Sequence, residues 1–123
     1  MNSPHLNLVV IRSAKMEAAL SFYGAFGFEF ERQQHGNGPI HYSSEINEVV
    51  FEIYPARTEI AEDLITDSTL IGFRVDSIEE ILEQFSMMGI ETNRSVKNSE
   101  WGRWINVVDP DGRTVQISEQ SKE

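Results

Sequence analysis

Two spacings alternate along this chain. Short runs, apolar throughout or at every second position, read as strands; two longer segments with apolar residues three and four apart read as helices. Residues 6–12, Leu-Asn-Leu-Val-Val-Ile-Arg, are β-branched and apolar on both faces, which predicts a buried strand. Ser13 is placed to cap a helix whose apolar face is Met16, Ala19, Leu20, Tyr23 and Phe26, with Gly27 as its stop. Phe28 to Gln34 alternates and predicts a half-exposed strand, followed by a loop over His35-Gly36-Asn37-Gly38-Pro39. Ile40 to Glu45 and Val49 to Tyr54 predict two strands joined by a tight turn at Asn47-Glu48.

The second half runs in the same order. Thr69 to Val75 predicts a strand. Asp76 is placed to cap a helix over Ser77–Met88 with the stripe Ile78, Ile81, Leu82, Phe85 and Met88, ended by Gly89. Glu79 and Glu80 fall in its first turn, where the helix dipole favours them. Ile90 to Val96 predicts a strand, Lys97-Asn98-Ser99 a loop, and Trp101 to Val108 and Thr114 to Ser118 the closing strands; Glu119 to Glu123 reads as a frayed tail. The segment 55–68 reads as a polar linker with a helical turn near Glu59–Leu64.

Between the last two strands lies Asp109-Pro110-Asp111-Gly112, a type I turn closed by a glycine bulge. This loop pairs Val107 with Val115 and Ile105 with Ile117. It therefore turns Gln116 to the face away from the helices, beside Trp104, Asn106 and Val108. A turn at Asn47-Glu48 likewise sets His41 and Ser43 near Tyr54 and Glu52, with Ile40 and Tyr42 on the helix face.

A shift of 62 residues lays Ile11 on Phe73, Arg12 on Arg74, Tyr23 on Phe85 and Gly27 on Gly89. A shift of 64 lays Val50–Tyr54 on Thr114–Ser118 and Glu52 on Gln116. Two βαβββ modules follow, about 6–54 and about 69–119, in one domain spanning 1–123. The fold class is α+β.

Composition narrows the function. Twenty acidic side chains against ten basic ones give a net charge of −10, which excludes a phosphate-neutralising nucleic-acid surface. It fits either a solvated acidic surface or attraction of a small cation. There is no cysteine, hence no disulfide, thiolate metal site or thiol nucleophile. No apolar run is long enough to span a membrane, and the first residues lack the pattern of a signal peptide. The expected setting is the cytoplasm.

Ser-Phe-Tyr-Gly-Ala-Phe-Gly-Phe at 21–28, the doubled βαβββ order and Val-Asp-Pro-Asp-Gly-Arg-Thr-Val-Gln-Ile at 108–117 resemble the glyoxalase/bleomycin-resistance/extradiol-dioxygenase (vicinal oxygen chelate) superfamily. The resemblance covers residues 6–119. It implies a curved, partly open barrel-like sheet around a cleft, helices on the convex face, and commonly a homodimer. Metal-dependent members take ligands from the first and last strands of each module. Those positions here are Leu8, Glu52, Leu70 and Gln116. A leucine has no lone pair to donate, and one carboxylate with one amide makes a poor site for zinc, nickel or iron. No cofactor is therefore expected.

The expected ligand-binding residues are Leu8, His41, Glu52, Tyr54, Leu70, Arg103, Trp104 and Gln116. Glu52 would anchor a cation, or act as a general base if burial raised its pKa; otherwise it pairs with Arg12, Arg74 or Arg103. Gln116 can donate and accept at once. Tyr54, Trp101 and Trp104 would wall a planar or cationic ligand, or pack in the core or a dimer interface. Arg103 would clasp a carboxylate or offset the acidic surface. His5 and His35 read as structural or surface residues. The expected function is binding of a small cationic or aromatic molecule without metal. The alternatives are a metal-dependent lyase or dioxygenase using Glu52, His41 and Gln116, and a metal-free isomerase or lyase with Glu52 as base.

Overall fold

A computed structural model of the chain describes residues 6–57, 69–100 and 102–119. The chain divides into two compact units, Met1–Ile60 and Ala61–Glu123. The first holds β1 (Leu8–Ser13), α1 (Met16–Gly24), β2 (Glu31–Gln33), β3 (His41–Ile46) and β4 (Val49–Pro55). The second holds β5 (Leu70–Arg74), α2 (Ile78–Met87), β6 (Lys97–Ser99), β7 (Gly102–Val108) and β8 (Thr114–Ser118). Each unit is βαβββ, and the fold is α+β as expected. The strand orders match, β1-β4-β3-β2 and β5-β8-β7-β6, with one parallel pair in each sheet, β1 with β4 and β5 with β8. Neither sheet closes on itself. No helix among the described residues is long and apolar enough to cross a membrane.

Strand alternation builds each core. In the first unit Ile11, Phe51 and Ile53 point to α1 and are buried, as are Ala19, Phe22 and Tyr23 of the helix. Aromatic rings dominate this layer: Tyr23 meets Phe51 edge-on at 5.2 Å, and Phe28 lies 5.0 Å from Phe51. In the second unit Ile105, Val107, Val115 and Ile117 are buried under Ile78, Ile81 and Phe85 of α2. Each such side chain contributes about 1.5–3 kcal/mol when fully buried.

The expected registers hold. Val107 lies opposite Val115, Ile105 opposite Ile117 and Asn106 opposite Gln116. Ser43 lies opposite Glu52 and Tyr42 opposite Ile53. Asn47 and Glu48 both take positive φ, 53° and 69°, as a two-residue turn between right-twisted strands requires. Gly112 takes φ 90°, and its N–H donates to the Asp109 carbonyl at 2.9 Å, the expected bulged turn.

Several element ends differ from the sequence reading. Ser13 ends β1 and does not cap α1: its Oγ accepts the Lys15 N–H at 2.9 Å, and α1 starts at Met16 without a side-chain cap. Ser77, not Asp76, caps α2, accepting the Glu80 N–H at 3.2 Å. Phe22 is buried and Met88 is 41% exposed, so the helix stripes are rotated from those expected. Paired β2 is only three residues long within the stretch Phe28–Gln34. Residues 90–96 are not a strand; Lys97–Ser99, expected as a loop, pairs instead with β7. Strand β1 is an edge strand exposed on one face (Leu8 52%, Val10 43%), not a strand buried on both. Glu119 is not frayed: its N–H donates to the Arg103 carbonyl at 2.9 Å, and its carboxylate accepts the Ile78 N–H at 2.6 Å. His5, Trp101 and the helical turn expected at 59–64 lie outside the described residues.

Candidate functional site

The face of each sheet turned away from its helix carries the side chains with chemistry, and register arranges them in rows. In the first sheet one row runs Gln33, His41, Tyr54, Arg12, and the next Glu31, Ser43, Glu52, Val10. A third row adds Glu45, Val50 and Leu8. In the second sheet the matching rows are Lys97, Trp104, Ser118, Arg74; then Asn106, Gln116, Gly72; then Val108, Thr114, Leu70. Leu8, His41, Glu52 and Tyr54 thus share one face of the first sheet. Leu70, Trp104 and Gln116 share the corresponding face of the second.

The first row of the first sheet is a closed stack. The Tyr54 and His41 rings are stacked, their centroids 4.1 Å apart and their planes 5° from parallel. The Arg12 guanidinium sits 5.3 Å from the Tyr54 ring centre, and its Nη1 donates to the Pro55 carbonyl at 3.1 Å. The His35 ring is 5.2 Å from His41. His41 is consequently 1% exposed. Its Nδ1 lies 3.2 Å from the Pro39 carbonyl, a contact that places the proton on Nδ1. Nε2 is buried and has no hydrogen-bond partner among the described residues. Glu52, one row further on, is half-buried and makes no ion pair or hydrogen bond among the described residues. Arg12, on the same face of the same sheet, does not pair with it. The acids Glu29, Glu31 and Glu45, with Ser43, line a groove of about 490 Å³ beside it.

The second sheet is open in the same row. Ser118 stands where the first sheet has Tyr54, and a groove of about 610 Å³ is lined by Arg74, Trp104, Gln116 and Ser118 on this face and by Ser99, Gly102, Arg103 and Glu119 at its rim. Gln116 lies over Gly72, its Oε1 3.7 Å from the place a Cβ would occupy there. Asn106 Oδ1 is buried with no hydrogen-bond partner among the described residues.

Arg103 is occupied. Its parity matches Ile105 and Val107, so it turns to the helix side and not to the face of Trp104. Nη1 donates to Glu119 Oε1 at 3.2 Å and to Glu79 Oε1 at 3.2 Å, and Nη2 donates to Glu79 Oε2. The hydrogen bond with Glu79 raises the Arg103 pKa, and the same bond, with one to the Glu79 backbone, holds the Glu79 carboxyl below its ordinary 4.5. Sequence reading missed the pair Asp109 and Arg113, although Arg113 shares its parity with Val115 and Ile117. Their side chains are 0% and 2% exposed, and Arg113 Nη1 donates to Asp109 Oδ2 at 2.6 Å. Asp109 Oδ1 accepts the backbone N–H of Asp111 and of Arg113, each at 2.9 Å.

These residues do not fit the metal site that the resemblance implies. Leu8 and Leu70 supply no donor atom, His41 is held inside its stack, and among the described residues no three His, Asp or Glu side chains converge.

A family model described as Glyoxalase/Bleomycin resistance protein/Dioxygenase superfamily matches residues 5–117. The chain belongs to this superfamily. Solved structures of similar fold cover nearly the whole of it. An antibiotic binding protein, TnmS3 from Streptomyces sp. CB03234, is 20% identical with a TM-score of 0.72, over 98% of this chain and 99% of that one. A glyoxalase family protein from Enterococcus faecalis is 23% identical with a TM-score of 0.70, over 94% and 97%. A bleomycin resistance determinant encoded on the transposon Tn5 is 18% identical with a TM-score of 0.68, over 97% and 100%. At these identities the likeness is one of fold. A search of curated proteins found no match.

Proposed function

We propose that this superfamily member binds a small organic molecule on the sheet faces turned away from its helices, without the metal of its metal-dependent relatives. One observation carries the reading: leucines stand at the family's first-strand ligand positions in both units, and both are exposed, Leu8 at 52% and Leu70 at 62%. Around them lie Val10, Val108 and Trp104, with Glu52 and Gln116 as the polar groups of each face. Apolar surface with a few fixed polar groups suits ligand binding. The antibiotic-binding and bleomycin-resistance relatives of the same fold support the same reading. Glu52 provides the counter-charge for a cationic group on the first sheet. Apolar surface that a small ligand leaves uncovered is met in this reading by a second copy of the chain, making the working protein a cytoplasmic homodimer.

Native mass spectrometry of protein purified without chelator tests both parts. The expected result is a metal-free mass twice the 14.0 kDa of one chain. One bound divalent ion per chain, lost in Glu52→Ala, would overturn the metal-free reading, and a monomer would overturn the dimer.

A further inference from the structure

The two sheets differ at one place in a way that indicates what the second one accepts. In the first, the Tyr54 ring fills the space between the His41 ring and the Arg12 guanidinium. In the second, Trp104 stands in register with His41 and Arg74 with Arg12, but between them stands Ser118. A hydroxymethyl group replaces a phenol, and the result is the groove lined by Trp104, Ser118, Gln116 and Arg74. Strands β7 and β5 are separated by β8, so roughly 10 Å of sheet lies between the Trp104 and Arg74 backbones. That width admits one flat ring on the indole, with room for a substituent reaching the guanidinium.

The charges and polar groups specify the ring further. Arg74 makes no ion pair or hydrogen bond among the described residues, and Lys97 lies directly opposite Trp104 on the same face. Glu119, the carboxylate that lines the groove, is engaged by Arg103 and by the first N–H of α2. The face therefore presents free positive charge, although the chain as a whole carries −10. Arginine suits a carboxylate through a bidentate hydrogen bond, and it suits the face of an electron-rich ring. One row on, Gln116 lines the groove and can give or accept a hydrogen bond.

We infer that the groove of the second sheet binds a planar aromatic acid. Its ring occupies the place that Tyr54 fills in the first sheet, between Trp104 and Arg74, with its anionic group on Arg74 and a polar ring substituent on Gln116. This rests on the small-molecule-binding reading and sets the sign of the ligand's charge at this groove, opposite to that favoured at Glu52.

The test uses two probes of one size, 2-naphthoate and 2-naphthylmethylammonium, titrated by calorimetry into the full chain and three variants. Naphthoate is expected to bind at least roughly tenfold more tightly than the ammonium. Trp104→Ala and Arg74→Gln should each weaken naphthoate by roughly tenfold. Ser118→Tyr rebuilds in the second sheet the stack already present in the first; it should abolish naphthoate binding while leaving the circular dichroism spectrum and melting temperature in place. Naphthoate binding that survives Ser118→Tyr in the folded protein, or equal affinity for the two probes, overturns the groove assignment and leaves the broader binding reading standing. Failure of both probes to bind the unmodified chain overturns both.

Discussion

The first sheet closes its outer row with its own side chains, whereas the second leaves that row open. His41, Tyr54 and Arg12 form a continuous stack; Trp104, Ser118 and Arg74 have the same backbone positions and no central ring. The scaffold under both rows is the same, with the same strand order and the same apolar parity toward a helix. What differs is the volume of one side chain and the sign of the charges around it: Glu31, Glu45 and Glu52 on one face, Lys97 and Arg74 on the other. One outer row can thus be closed and the other open on sheets of the same strand order, because alternation lets one face of a strand change while the other holds the core.

The comparison extends to the hairpins that set the two registers, and the largest expected effect lies there. The second sheet's turn is held by the buried Asp109–Arg113 pair, while the first sheet's turn relies on two residues at positive φ. Asp109→Ala takes away the carboxylate that the buried Arg113 guanidinium donates to, and with it the acceptor of two backbone N–H groups. It should destabilise the protein by about 3–5 kcal/mol in urea titration, with part of the loss recovered by the further change Arg113→Leu. A loss below about 1 kcal/mol would show that the pair is not what holds the hairpin. Next in size, Tyr54→Ser gives the first sheet the composition of the second. It should cost about 2 kcal/mol and raise the stoichiometry of 2-naphthol binding from one to two per chain; unchanged stoichiometry would show that ring removal alone does not make a groove. Smallest, Glu48→Gly relieves a side chain at φ 69°. A gain of about 0.5–1 kcal/mol in thermal unfolding is expected, and a loss would mean that the Glu48 side chain contributes more than its backbone costs.

Much of this was legible in the sequence because period-two alternation and a Pro-Asp-Gly loop leave few registers that keep Val115 and Ile117 on the core side. The positions of Gln116 and Trp104 on their face follow from that alone, and those of Glu52 and His41 from the same alternation with the two-residue turn at Asn47-Glu48. Parity also carries two further signals. Arg113 and Arg103 both fall in the core-facing register, and an arginine there needs a carboxylate: Asp109 for one, Glu79 and Glu119 for the other. Other features were beyond local pattern. Ser13 has the composition of a helix cap, yet its hydroxyl closes a turn two residues ahead while the chain is still extended, a competition settled only by where β1 leaves the sheet. Lys97–Ser99 has no strand propensity and is paired because β7 offers it an edge. The Tyr54–His41 stack depends on ring rotation about χ1 and χ2, which no spacing specifies.

Each sheet also has two unlike margins. The outer strands β2 and β6 are three residues long, and their six residues are all polar, including Glu31, Arg32 and Lys97. The opposite margins, β1 and β5, are longer and begin with exposed leucines. Short charged margins are poor templates for a foreign strand, whereas long apolar ones are good templates. Mispairing during folding, and any fibrillar growth from a partly unfolded chain, is therefore expected at β1 and β5 rather than at β2 and β6. A lysine at position 8 or 70 is then expected to protect against aggregation, at the expense of exposed apolar surface on the face proposed for ligand binding.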